Sequence, residues 1–385
     1  MGLKNEAQSA FQNTKSFYKE YVSGMTRQRM GKEFYKDTDR LKQLYTEAIG
    51  ENIEKAENET IPGHLKIMRL FSALTQRLNP TRRLVFGLSV VSFIGHYLIG
   101  FLQLTGIVFF HNLLLPFAFV SMLMLLLVEL LEKSDVKREI DLAREIQLSL
   151  LPNTEHSRKN LEIACFANTA KEVGGDYVDI IETDEGTYIV IADVSGKGLS
   201  AALYMVRMQA LVHLIIEKSQ PSPKELFLEL NNYVKSDIKD KTFVTACAAF
   251  FPDGEDHFIF ARAGHNAPIL FSNERDATFD LRSDGFALGM TTSTNMQQHL
   301  QEKKFHFNRG DSILFYTDGL TESRNEWGEE YGEERLDGIM SVYGSLHSKS
   351  IIHKIQSSLE NFIGNEEPVD DVTFTCVHHT TTKNK

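Results

Sequence analysis

The chain has 385 residues, with 41 Lys and Arg against 52 Asp and Glu and a formal net charge of −11; this length suits about two to three domains of ordinary size. The acidic balance, with no long basic run, argues against a nucleic-acid binder, whose affinity comes from neutralising backbone phosphates. Cys165, Cys247 and Cys376 lie too far apart for a disulfide framework or a zinc C-x-x-C pair, and read as buried apolar residues of a reducing compartment.

In chain order, residues 1–80 read as a helical cytoplasmic segment. Leu41, Leu44, Tyr45, Ala48 and Ile49 recur at helical spacing, and Ile67, Met68, Phe71, Leu74 and Leu78 do so after the break at Pro62 and Gly63. The second of these helices is basic on its polar side; it either lies along a membrane surface or stands solvated. No sensory motif is recognisable here.

From Leu84 to Val128 there is no Asp, Glu, Lys or Arg. A single helix of that length would reach about 65 to 70 Å, whereas the hydrocarbon core of a bilayer is about 30 Å thick. Two spans, 84–104 and 109–131, form a transmembrane hairpin over 84–131, joined by a polar turn at either Thr105-Gly106 or His111-Asn112. The run begins too far into the chain to be a signal peptide. Arg69, Arg77, Arg82 and Arg83 precede it, Lys133, Lys137 and Arg138 follow it, and the loop between has no basic residue. Both ends are therefore expected in the cytoplasm, the protein being a multi-pass protein of the cytoplasmic membrane in contact with lipid. Residues 132–152 form a linker helix ended by Pro152, with Val136, Ile140, Ala143, Gln147 and Leu150 spaced alternately four and three apart. That stripe suits either a parallel coiled-coil homodimer or packing on the domain that follows.

Beyond this, over 155–380, the pattern changes to short apolar or alternating runs. Strands are expected at 162–168, 177–182, 187–192, 243–251, 257–263, 301–307, 312–316 and 372–377, and helices at 200–218, 223–239, 334–343 and 350–363. The alternation of a parallel sheet is missing. The predicted class is α+β, two packed and mainly antiparallel sheets flanked by helices in an α-β-β-α sandwich.

Acidic residues recur where these strands end. Asp176 lies in V-G-G-D-Y, Asp193 in A-D-V-S-G-K-G, Asp318 in Y-T-D-G-L, and Asp370 with Asp371 in V-D-D-V-T. A carboxylate at a strand tip beside glycine is held firmly and leaves room for a ligand to approach the backbone. Four such groups converging could not all stay ionised without cations, and two hard divalent ions would neutralise them. The chemistry this suggests is two-metal hydrolysis.

These motifs, with A-G-H-N-A-P, L-G-M and Y-T-D-G-L-T-E, resemble the metal-dependent protein phosphatases of the 2C superfamily, specifically the bacterial RsbU/SpoIIE branch. The segment A-R-E-I-Q-L-S-L-L-P resembles the helical linker that precedes the domain there. The resemblance implies a serine/threonine phosphoprotein phosphatase in which Asp193 bridges two Mn²⁺ or Mg²⁺ ions and the Val194 carbonyl completes one site. Asp318 and Asp370 then hold the other ion, Asp176 binds metal directly or through water, and water activated between the ions attacks phosphorus. Asp371, Lys197 and Glu322 are candidates for support of the ligands or contact with phosphate, although a solvated lysine is the plainer reading of Lys197. His265-Asn266 reads as a turn fixed by side-chain hydrogen bonds. In relatives a typical substrate is a phosphorylated anti-sigma-factor antagonist, which is the partner the resemblance implies. The rival reading is a membrane-tethered signalling scaffold that binds a partner through a phosphatase-like domain without turnover. A diguanylate cyclase is disfavoured because Tyr177 stands where its signature needs an acid, and S-G-K-G lacks the flanking residues of a phosphate loop.

Overall fold

The computed structural model describes Thr75 and residues 79–101, 108–237, 242–364, 366 and 368–380, and it divides into two compact units between Lys133 and Ser134. The helical stripes expected at residues 41–49 and 67–78, Thr75 apart, and the Thr105-Gly106 turn lie outside the described residues.

In the first unit, α1 (Pro80–Phe101) and the beginning of α2 (Val108–Leu150) carry the uncharged stretch. His111 and Asn112 fall inside α2, so they do not form the turn. Nor is the linker a separate helix, because α2 continues unbroken to Leu150. Leu84, Val91, Tyr97, Phe119, Val120 and Met124 point outward and exposed, the reverse of a water-soluble helix pair and what a lipid-facing surface requires. The two helices are tied at one end by Arg82, which pairs with Glu129 at 3.2 Å and with Glu132. Farther along, the Ser89 and Ser121 hydroxyls meet at 2.6 Å.

Among its described residues the second unit holds eleven strands: β1 (Glu155–Arg158), β2 (Leu161–Asn168), β3 (Asp176–Glu182), β4 (Gly186–Val194), β5 (Val244–Pro252), β6 (His257–Ala263), β7 (Ile269–Ser272), β8 (Ala277–Asp280), β9 (Glu302–His306), β10 (Ser312–Tyr316) and β11 (Val372–His379). They form two antiparallel sheets, ordered β1-β2-β11-β10-β7-β8 and β3-β4-β5-β6-β9. Ile163, Ile191, Phe260, Phe315 and Val377 fill the layer between the sheets. The helices α3 (Leu199–Ser219) and α4 (Pro223–Asp237) bury Met205, Val212, Ile216, Phe227 and Leu230 against the outer face of the second sheet. The first sheet is covered by α7 (Glu333–Tyr343) and α8 (Ser348–Ile363), through Leu336, Met340, Ile351 and Ile355. This is the layered α+β class expected. All three cysteines are free and buried in strands, with Cys165 against the Thr375 hydroxyl at 3.0 Å.

Length and composition alone would also admit α3 as a membrane span, alongside α1 and residues 112–150 of α2. Its apolar side is instead used in the domain core. The sequence reading missed β1, β7, β8 and α5 (Ser293–His299), elements of four to seven residues, too short to display a period.

Phe260, fully buried between the sheets, gives a direct measure of that layer: Phe260→Ala should cost about 3–5 kcal/mol in urea unfolding, by lost transfer energy and the cavity left behind.

Candidate active site

The pairing of β3, β4 and β5 sets Asp176 opposite Asp193, and Asp193 opposite Thr245. Side chains alternate along a strand, so these three share the face of Val178, Ile191 and Cys247, which looks into the layer between the sheets. The facing sheet contributes Thr317 just beyond β10 and Asp370 and Asp371 just before β11. The Thr317 hydroxyl reaches Asp176 Oδ2 at 2.9 Å and accepts the Thr373 N–H at 3.1 Å, joining the two sheets at this rim.

Asp318 opens the single-turn helix α6 (Asp318–Thr321). There a Cβ on Gly319 would collide with the Asp371 carbonyl, so glycine lets this turn close onto the Asp370-Asp371 segment. Asp371 accepts two backbone N–H groups, from Ala170 on Oδ1 (2.8 Å) and from Gly175 on Oδ2 (2.7 Å). Both its oxygens are thereby committed to holding the loop before β3. A Cβ on Gly175 would lie 3.0 Å from the Val194 carbonyl and 3.5 Å from Asp193 Oδ1, so those two oxygens flank one small space.

The loop after β4 turns through Gly196 and Gly198, whose φ values of 108° and 82° are readily adopted only by glycine. It brings Lys197 onto Asp370 in an ion pair, while Nζ also donates to the Val369 carbonyl at 3.0 Å. Lys197 is thus paired, contrary to the solvated reading.

Charge crowding marks the pocket. Burial, then Asp318, Asp370 and Asp371, push the Asp193 carboxyl up to about 7, with Lys197 opposing. Asp176 is raised as well, by burial first and then by Asp193. Asp318 is raised by burial and Asp370. Asp371 is raised by burial against the pull of its two N–H donors, and Glu322 by its partial burial and by Asp318 and Glu330. Like charges gathered at a buried rim need positive charge, and an all-oxygen donor set suits hard divalent cations. Among the described residues, no three His, Cys, Asp or Glu side chains stand close enough to hold an ion as placed. The Lys197 ammonium brings positive charge to this rim.

Two neighbours were not singled out from sequence as parts of this site. Gln147, near the end of α2, is buried and pairs its amide with Gly174 both ways, Nε2 to the carbonyl at 2.6 Å and Oε1 from the N–H at 3.1 Å. Gln209 on α3 donates to the Leu150 carbonyl at 2.8 Å. The end of the linker stripe is therefore used within the chain, while Leu142 and Ile146 on the same helix remain 59% and 61% exposed. The second neighbour is Thr317, whose role becomes visible only when the sheets are packed.

This sandwich of two antiparallel sheets between helix pairs is the PP2C-like fold. The SiaA-PP2C domain of Pseudomonas aeruginosa has this fold, with a TM-score of 0.55 at 18% identity over 64% of this chain and 98% of that one. So does the PP2C domain of the cell fate determinant SpoIIE from Bacillus subtilis, with a TM-score of 0.50 at 15% identity over 58% of this chain and 61% of that structure. Residues 183–380 match the family model of Stage II sporulation protein E (SpoIIE), and the chain belongs to that family. It is similar to the phosphoserine phosphatase RsbU of Bacillus subtilis, 30% identical over 196 residues that make up 51% of this chain and 57% of RsbU. It is also similar to protein IcfG of Synechocystis, 24% identical over 64% of this chain and 42% of that protein. The chain thus spans about half the length of these curated relatives.

His265 sits in a turn after β6, buried, with Nδ1 on the Thr245 hydroxyl at 2.8 Å. Burial and the nearby Arg262 depress its ring to about 3 from 6.5, with the Tyr316 backbone opposing. The unfolded chain therefore binds a proton that the folded chain refuses between pH 6.5 and 3. This contribution to stability is complete above 6.5 and lost as pH falls through that window. His265→Asn should flatten the acid side of the stability curve by up to about one proton, read from urea midpoints between pH 3 and 7.

Proposed function

We propose that the protein is a membrane-anchored, metal-dependent serine/threonine phosphoprotein phosphatase whose substrate is a cytoplasmic regulatory protein. The observation that carries this reading is the meeting of Asp176, Asp193, Asp318 and Asp370, from four separate segments, at one rim of a SpoIIE-family domain. The similarity to a phosphoserine phosphatase supports the substrate class, and an anti-sigma-factor antagonist is the partner proposed.

Asp193, with the Val194 carbonyl beside it, would bridge two divalent ions, Mn²⁺ or Mg²⁺; Asp318 and Asp370 would hold one of them, and Asp176 would bind directly or through water. When bound, such ions supply Lewis acidity toward phosphate oxygens and water. The remaining work falls to the chain. Asp371, with both oxygens occupied by backbone N–H groups, positions the Gly174-Gly175 loop against Asp193. Thr317 keeps the Asp176 carboxylate turned toward the rim. Lys197 offsets negative charge on Asp370, and its ammonium would also be within the site to meet an incoming phosphate. Glu322, which feels both Asp318 and Asp370, adds to the negative field that retains cations.

The apolar α1 and α2 stretches, exposed on nearly all sides, support a lipid-embedded hairpin, and their basic flanks support a cytoplasmic catalytic domain. Homodimerisation through α2 would use Leu142 and Ile146, since the end of the original stripe is engaged by the chain's own Gly174 and Gln209. The Gln147 pairing gives such an arrangement a route to the loop that Asp371 holds. The second reading is a scaffold that binds a partner without turnover, in which Lys197 stays paired with Asp370.

Phosphate release from a panel of phosphorylated antagonist proteins, with manganese and then with chelator, separates the two readings. Turnover that requires manganese and falls at least about a hundredfold in Asp193→Asn, with an unchanged circular dichroism spectrum, is expected. Partner binding without release would establish the scaffold. Ile146→Glu should convert a dimer to a monomer in light scattering and lower manganese-dependent activity; equal activity of monomer and dimer would remove the regulatory reading.

A further inference from the structure

The chain has one tryptophan, and the fold leaves it outside. Trp327 is 75% exposed, a large apolar surface left in water. The loop that carries it is not slack. Tyr331 N–H donates to the Ser323 carbonyl (2.8 Å) and Asn325 N–H to the Glu329 carbonyl (3.1 Å). The buried Asn325 side chain accepts from the N–H groups of Trp327 (3.1 Å) and Glu329 (3.0 Å) and donates to the Glu329 carboxylate (2.9 Å). Arg324 closes the base of the loop on Glu330 at 2.8 Å. The sequence thus spends a buried asparagine and a set of turn hydrogen bonds on presenting an indole to solvent.

The loop adjoins the acidic pocket. Its root follows α6 directly: the Glu322 N–H donates to the Asp318 carbonyl at 2.8 Å, and the Gly332 N–H, at the far end of the loop, to the Thr321 carbonyl at 2.9 Å. From position 322 to 335 there are six glutamates and two arginines, Arg324 paired with Glu330 and Arg335 donating to the Glu330 and Tyr331 carbonyls, so the loop stays net negative. An aromatic anchor set among negative charges has the form of an interface centre with a charged rim, and its complement is an apolar side chain flanked by lysine or arginine. An anionic bilayer surface would be repelled by those glutamates, and a second copy would bring the same acidic patch against itself.

We infer that Trp327 and its glutamate rim dock the stretch of the phosphoprotein substrate beside the phosphorylated residue, selecting an apolar side chain flanked by basic ones. This deepens the phosphatase reading and rests on it.

The test uses the full chain in detergent micelles with manganese and three phosphoserine peptides of equal length. Beside the phosphoserine they carry leucine between lysines, leucine between glutamates, or serine between lysines. With a single tryptophan, emission reports Trp327 alone. The lysine–leucine peptide is expected to shift emission to the blue and to show a KM about tenfold below the other two. Trp327→Ala should raise that KM about tenfold while hydrolysis of p-nitrophenyl phosphate stays within about twofold; Glu326→Lys should erase the preference for lysine over glutamate. Equal KM values for the three peptides with p-nitrophenyl phosphate turnover intact would overturn the docking site. So would an emission shift produced by phosphatidylglycerol vesicles, or by raising protein concentration alone. Absence of manganese-dependent p-nitrophenyl phosphate hydrolysis in the unaltered chain would instead strike the phosphatase reading, and the emission shift would still decide whether the peptide docks.

Discussion

Mutual repulsion among carboxylates at one open rim of the sandwich is the constraint around which the second unit is arranged. Asp193 feels Asp318, Asp370 and Asp371 at once, and nothing in ordinary folding would gather those groups. The fold tolerates the strain through specific ties: backbone N–H groups on Asp371, the Thr317 hydroxyl on Asp176 and the Lys197 ammonium on Asp370. Each tie reaches across a boundary between segments far apart in the chain, so the rim is assembled only when both sheets are in place. Stability is given up locally in exchange for a concentrated negative field, the arrangement expected of a site that recruits cations.

The hydrophobic layers supply what the rim gives up. Three apolar clusters, one between the sheets and one under each helix pair, involve most strands of the domain. Burial on both faces explains why the strands read as nearly continuous apolar runs, and why β4 and β11 are buried almost throughout. The carboxylates sit where those runs stop, at the point where the packed layer meets solvent.

Much of this was legible in the sequence, for reasons that differ by residue. Asp176, Asp193, Asp318, Asp370 and Asp371 all lie at or next to the ends of strongly apolar strands, Asp176 and Asp318 beside glycine, so local grammar exposed them. The long strands and the helices α3, α4, α7 and α8 were legible from their periodicity. The four-residue strands were not, because four residues contain two alternations at most. The continuity of α2 was hidden by a change of composition, from an apolar to a charged stretch, that falls at the division between the two units while the helix itself runs on. Lys197 was misread because its partner lies 173 positions away in the chain, and Thr317 was overlooked because a hydroxyl joining two sheets leaves no pattern. Trp327 carried a signal that composition could have supplied: a single tryptophan in a run of glutamates has no place in a core.

The cysteines carry a different consequence. All three are free, buried and held in strands; burial pushes the Cys165 thiol up to about 11 and raises Cys247 and Cys376 as well. Thiols in that condition are poor nucleophiles and slow to be oxidised. A phosphatase acting as proposed, through carboxylates and not thiols, would therefore keep its chemistry apart from the redox state of its surroundings.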